Sequence, residues 1–473
     1  MILNHVIEFI LGLLIILTPL PGGSIDFPAF SAMEAGILLI VLFWSVGQLK
    51  DQGSFLHSLP RGAILLLGLF LGLILIQMVR FPANLVEIVS PKTYEIRHEL
   101  QVGSGPLDRM SLTFFAFGTK IELIKWMTLS GFFLFIFYWR HSDLGLRGIH
   151  RLLMLVFLMG VFESFYGIFR SAGLPDRPFH SEVSEGMSSV MGTFVNRNHF
   201  AGYLLMAIPS SIGLLFSRQA DKIRIGRFSH RPVYSLDAKS LLVGFGIMAM
   251  ILGLLFSASR MGILSLLFSF SLMMILFRRG HGGKKFSRRS ALILGLALAW
   301  GIWIGLDAVI SRFVGTSEDL RSRWMIWTDT FQIIKDFPLL GSGLGTFAQV
   351  FPMYRSFHIR GTVTHAENDF LQLASEVGLV GSALLLILFL ILFIKAVSGI
   401  RSFSSRDPER FIGIGALVGI LALMFHSQVE RNMQVPSNAF LYTFLWGVVL
   451  RLSILSRASL RPLQDRGFAQ PKG

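Results

Sequence analysis

The sequence predicts an all-α polytopic membrane protein with about twelve transmembrane helices, on three observations. Hydrophobic residues fill 53% of the 473 positions and charged residues only 15%, against roughly 25% charged in an ordinary soluble domain. The apolar residues, 44 Phe among them, gather into runs instead of recurring at amphipathic spacing, as expected where lipid is the solvent. The basic residues fall mainly in short segments between those runs, where they act as topology signals.

Runs near the roughly 17 to 25 residues of a spanning helix lie at about 2–18, 33–49, 62–79, 121–139, 152–169, 200–217, 240–256, 261–277, 290–307, 378–394, 411–426 and 437–450. The first lacks a basic leading region and a small-residue cleavage site, so it reads as a retained span and not a removable signal. With the N-terminus inside, the segments near 50–61, 140–151, 218–239, 278–289, 395–410 and 451–473 hold 26 of the 43 Lys and Arg. That bias places both termini in the cytoplasm. The long external segments are then 80–120, 170–199 and 308–377, and loops beyond roughly 12 to 15 residues usually carry function or disorder. Three regions follow: an N-terminal membrane region over 1–239, a core over 240–395 that includes the loop 308–377, and C-terminal helices and tail over 396–473.

The third loop reads as structured. Ser317 is placed to cap a helix whose Leu320, Trp324, Trp327, Phe331 and Ile334 share a face until Asp336-Phe337-Pro338 ends it. With two Trp residues beside a membrane, this helix is expected in the interface.

Several function classes are excluded. A net charge of +15 would point to nucleic acid in a soluble chain, but no continuous basic face or stacking platform accompanies it, so no nucleic-acid partner is expected. The absence of Cys removes disulfides, thiolate catalysis and Cys-based metal sites.

Four segments carry chemistry. In PLLGSGLGTF, residues 338–347, the glycines would let backbone amides approach an anion, although spacing alone favours an ordinary flexible turn. In HAENDFLQLASEVGLVG, residues 365–381, Thr364 and Glu367 fit a capping box, which competes with a catalytic reading of Glu367. A helix starting there aligns His365, Asn368, Asp369, Gln372 and Glu376 in a polar stripe facing away from lipid. In SASRMG, residues 257–262, Arg260 stands in the shortest external turn against the positive-inside bias, which favours a functional role over a flanking charge. In GTFVNRNHFAGYL, residues 192–204, Asn196, Arg197, Asn198 and His199 lie where a long loop re-enters the membrane. His199 is not a metal site, since no second ligand stands at ligand spacing. Glu163, inside an apolar span, has Arg170 seven residues on as its nearest candidate partner; a structural ion pair and substrate contact are equally open.

Together these segments resemble the O-antigen ligase and O-antigen polymerase superfamily over about residues 190–395. The resemblance implies an inverting, metal-independent glycosyltransferase without cofactor, in a bacterial inner membrane. Its donor would be a glycan on undecaprenyl diphosphate, and its acceptor lipid A core or a growing polysaccharide at the periplasmic face. Arg260, Arg323 and Arg197 are implied for the donor diphosphate. Asn368, Asp369, Gln372 and His199 are implied for acceptor or sugar, and Glu367 or His365 for the base. The sequence departs from the familiar ligase pattern at Glu367, where that pattern places a His directly before the Asn. Hydropathy alone also allows a twelve-span transporter or lipid flippase, but the polar clusters gather in outer loops and not at a midplane between similar halves.

Overall fold

The computed structural model describes residues 2–49, 59–100, 108–139, 146–172, 189–226, 237–278, 316–358 and 361–464. Eleven of the twelve expected spans coincide with helices: α1 (Ile2–Leu17), α2 (Phe27–Leu49), α3 (Arg61–Met78), α6 (Ala116–Tyr138), α7 (Leu146–Ser171), α8 (Arg197–Gly226), α9 (Ala238–Phe256), α10 (Arg260–Arg278), α13 (Asp369–Ser402), α14 (Pro408–His426) and α15 (Pro436–Gln464). Ten of these are long and apolar enough to cross a membrane, while the apolar stretch of α1, Leu3–Leu17, is shorter. The expected span at 290–307 lies outside the described residues, as does nearly all of the basic loop before it. The fold is therefore an all-α polytopic membrane protein.

The helices at the centre of the bundle are α8 and α14. Residues Phe200 to Ile208 of α8 are almost wholly buried, the pattern of a helix surrounded on all sides. Between helices in lipid, attraction rests on close packing, which small residues permit. A Cβ on Gly213 would stand 2.6 Å from the Phe411 carbonyl oxygen, and one on Gly415 would stand 2.5 Å from that of Pro209. The two backbones thus touch. At the periphery, Leu38, Leu42 and Val46 of α2 and Leu386, Leu390 and Ile394 of α13 are exposed at four-residue spacing, which gives each helix an apolar outer stripe for acyl chains.

Above one end of the bundle lies a second, smaller layer. It contains the antiparallel pair β1 (Arg80–Pro82) and β2 (Arg109–Ser111), with short helices α4 (Ala83–Val89) and α5 (Pro91–Glu99) between them in sequence. The long loop adds α11 (Thr316–Asp336) and α12 (Phe347–Tyr354). Helices α5, α11 and α12 and the adjoining loop share an apolar core of Ile96, Ile326, Ile333, Phe337, Phe347, Val350, Phe351 and Ala366, while Val86 of α4 and Met110 of β2 pack with Leu112 in a separate small cluster. The loop is thus folded, as expected, among the described residues, and α11 presents two faces. It turns Ile326, Asp329, Thr330 and Ile333 inward and leaves Leu320, Trp324 and Phe331 exposed. Asp329 is buried on the inner face, where it accepts the Ser356 amide at 2.8 Å and its hydroxyl at 2.9 Å. The side chain of the expected cap, Ser317, lies outside the described residues.

Candidate functional site

The two signature segments fold as one unit. Helix α13 breaks at Gly378 (φ 66°, ψ −173°), and the strap 338–347 lies in the break. Ser342 N–H donates to the Ser375 carbonyl, Gly343 N–H to Glu376, Leu379 N–H to Pro338 and Val380 N–H to Leu339, at 2.8 to 3.2 Å. Gln77 of α3 receives the Leu344 amide at 3.0 Å and donates to the Leu340 and Glu376 carbonyls. The Phe347 amide donates to the Glu376 carboxylate at 3.1 Å, and the Gly345 amide reaches the same group. The strap's amides are consumed inside the protein, which rules out an anion cradle here and equally corrects the expectation of a flexible turn.

The glycines serve close approach. Gly341 has φ 73°, and a Cβ there would stand 2.3 Å from the Glu376 carbonyl. Gly341→Ala is therefore expected to lower stability by more than the roughly 1–2 kcal/mol of a left-handed alanine alone, read as a drop in the thermal midpoint of the detergent-solubilised protein. An unchanged midpoint would show that the strap is not packed this way.

Next to this unit, the loop 427–435 between α14 and α15 draws the candidate residues together. Glu430 accepts from Asn198 Nδ2 at 2.5 Å and from Arg323 Nη2 at 2.7 Å, and Arg323 also donates to the Val429 carbonyl. Asp369 accepts the Met433 amide at 3.0 Å, and its own amide donates to the Ser427 carbonyl. Arg431 Nε stands 3.6 Å from a Glu367 carboxylate oxygen, and its charge acts on both His365 and His199. From α6, Lys125 joins Glu122 at 2.6 Å and Gln434 at 3.1 Å. The start of α8, the N-terminal half of α11, the start of α13 and this loop thus meet at one place.

Sequence reasoning missed Glu430, Arg431 and Asn432. The available signal was the argument applied to Arg260, namely an arginine in a short external connection against the positive-inside bias.

Other expectations change. The cap of α13 is Asn368, whose side chain accepts the Phe370 and Leu371 amides, so the Thr364–Glu367 capping box does not form. Glu367 instead adopts φ 50°, a conformation that costs a side-chain-bearing residue energy and tends to mark functional positions. The expected stripe forms only in part: the helix starts at Asp369, so His365 and Asn368 precede it, and the helical members Gln372 and Glu376 are enclosed, 3% and 1% exposed. Glu163 is not paired with Arg170. It accepts the Thr193 amide at 2.7 Å and hydroxyl at 2.8 Å, while Arg170 donates to the Gly192 carbonyl, so both residues hold the 192–193 turn in place.

That turn positions the start of α8. His199 is buried, and neither ring nitrogen has a hydrogen-bond partner among the described residues. Arg260 opens α10 after a turn in which Ala258 has φ 50°. Two residues on, a Cβ on Gly262 would stand 2.9 Å from Ala201, so the Arg260 turn abuts the segment that begins with Arg197.

His365 sits just outside the α13 span, largely buried. Its ionisation is pushed down to about 3 by that burial and by Arg431 and Lys125, with the Gln372 hydrogen bond acting the other way. The ring is therefore neutral in the folded protein. Unfolded chain takes up the proton first as pH falls, so this group's contribution to stability is complete above about pH 6.5 and is lost toward pH 3. His365→Gln should flatten that part of the pH–stability curve. An unchanged slope would place the acid-sensitive group elsewhere.

The described residues form a bundle of membrane-spanning helices with a folded loop on one face, in which both signature segments are joined. Residues 245–386 are similar to the family described as O-Antigen ligase. The chain is also 25% identical over 289 residues to the Exopolysaccharide production protein ExoQ of Rhizobium meliloti (strain 1021), a match covering 57% of this chain and 60% of ExoQ. The chain thus spans about three fifths of the length of this curated relative.

Proposed function

We propose that the protein moves glycan from undecaprenyl diphosphate to a growing polysaccharide or to lipid A core at the periplasmic face of the bacterial inner membrane. The observation that carries this reading is the convergence of Arg431, Glu367, His365 and His199 beside the Arg323–Glu430 pair. The likeness to an exopolysaccharide production protein favours the polysaccharide acceptor.

In this reading an acceptor hydroxyl attacks the anomeric carbon as the bond to the diphosphate breaks, in one displacement with inversion. The electron pair leaves on the diphosphate oxygen, where arginine cations stabilise it. The hydroxyl proton passes to His365. Glu367 is the weaker candidate base, because its carboxylate is engaged by Arg431. Arg431 and Arg260 face the diphosphate together with Arg197. Arg323 acts mainly as the clasp between α11 and the 427–435 loop. Asn368 shapes the wall of the sugar site, and the buried His199 stands behind that wall. Asp369 and Gln372 act from behind it.

Deleting the gene and examining the surface glycan tests the whole reading. Single-repeat products identify a polymerase. Uncapped lipid A core with accumulated lipid-linked glycan identifies a ligase. Normal surface glycan would reject both.

The proposed orientation has its own test. Alkaline phosphatase fused at Arg289 or in the 404–407 turn should be inactive, and one fused at Gly361 active, because the basic loops belong to the cytoplasm. The reverse pattern would overturn the topology. Catalysis is also expected to survive chelation, since the cationic role falls to arginines. Activity lost to a chelator and restored by magnesium or manganese in a purified system would sink that part.

A further inference from the structure

The surroundings of His365 fix which of its nitrogens can take a proton. His365 Nδ1 lies 3.2 Å from Gln372 Oε1. An amide side chain could in principle be turned either way, but here its orientation is set from both ends. The Ala366 backbone N–H, which can only donate, points at the same Gln372 Oε1 at 3.2 Å. On the other side Gln372 Nε2 donates to Glu376 Oε1 at 3.3 Å, and that oxygen is itself held by the Phe347 amide. Gln372 Oε1 is thus a pure acceptor toward the ring. The ring must donate to it, so the proton of the neutral imidazole resides on Nδ1 and the lone pair on Nε2. Trp327 Nε1 donates to the Ala366 carbonyl at 3.0 Å, holding the same residue from the α11 side.

We infer that Gln372, oriented by Glu376, is a positioning residue that fixes His365 in the Nδ1–H tautomer and so leaves Nε2 to accept the acceptor's proton. The inference rests on the reading of His365 as the base. It also explains why a glutamine and a glutamate stand buried behind the site, where neither can reach a sugar. Second-layer groups of this kind commonly set imidazole tautomers in metal and catalytic sites.

The test uses the full-length protein in lipid nanodiscs, with histidine labelled in carbon-13 and nitrogen-15. The His365 signals are identified by their loss in His365→Asn. At pH 7 a ring protonated on Nδ1 is expected, and a ring protonated on Nε2 overturns the inference. Gln372→Met keeps the volume and removes the acceptor, so the Nε2–H form should appear. Turnover, measured with lipid-linked glycan extracted from the producing cells, should fall roughly 10-fold or more with KM for that donor little changed. The exchanged pair Gln372→Glu with Glu376→Gln retains an acceptor toward the ring and a donor behind it, and should recover the Nδ1–H form and much of the turnover.

Should Gln372→Met fail to fold, the wild-type spectrum and the exchanged pair still decide. An exchanged pair that folds with Nε2 protonated also counts against the inference. The spectra need no turnover, so a wild-type Nδ1–H ring together with full activity in His365→Ala would reject the reading of His365 as base while leaving the tautomer assignment standing.

Discussion

His365→Ala is expected to lower glycan transfer roughly 100-fold or more while donor binding survives, the usual scale for removing a general base. The expectation follows from the site's layout. His365 is largely buried, and its Nδ1 is engaged by Gln372. Burial first, and then the nearby Arg431 charge, keeps it neutral. Arrival of a diphosphate beside Arg431 would offset that positive charge and raise the basicity of the imidazole in the loaded enzyme. The acid limb of kcat, which reports the loaded enzyme, should therefore lie at higher pH than that of kcat/KM, which reports the free enzyme. Glu367→Gln removes a carboxylate that is already paired, and its effect should stay under about 10-fold. The reverse ranking, with Glu367→Gln the more damaging, would transfer the role of base to Glu367. Full activity in both single variants and in the double variant would remove the base from this segment altogether.

The second large effect is expected at the arginines. Arg431→Gln should weaken retention of undecaprenyl diphosphate roughly 10- to 100-fold, the scale of one hydrogen bond to a charged group of about 1.5–3 kcal/mol. Arg260→Lys keeps a charge but loses the guanidinium fork, so it should impair donor use strongly. Retention of radiolabelled undecaprenyl diphosphate by the purified variants measures this directly. Unchanged retention in Arg431→Gln would remove that residue from the donor site. Arg323 is expected to behave differently. Its guanidinium already serves Glu430 and the Val429 carbonyl, so Arg323→Lys should reduce protein level along with activity.

Much of the fold was legible because lipid imposes length and composition on each span separately. The apolar runs at 200–217 and 378–394 mark α8 and α13, although both helices extend well past the runs, since a helix does not end where hydropathy does. The signature segments were legible through their resemblance to a family. Their physical purpose was not. Spacing alone could not distinguish an anion cradle or a flexible turn from a strap whose amides are spent on a broken helix. Nor could local sequence decide the cap of α13, where a capping box and an Asn cap competed and the left-handed turn at Glu367 settled it. The loop 427–435 was hardest to see. Its Glu430 meets Asn198 and Arg323 across 232 and 107 residues of chain, and no window along the sequence contains such a pairing.

The strap and the break in α13 also bear on how this protein can be recombined. Ser342, Gly343, Leu379 and Val380 exchange main-chain bonds between two stretches that lie over thirty positions apart, and Gln77 bolts both to α3. A transplant carrying only 338–347 or only 365–381 from a relative would join two surfaces that were never fitted to each other. Chimaeras meant to exchange specificity should cut outside the pair, and should bring the donor's counterparts of Gln77 and the 427–435 connection with it.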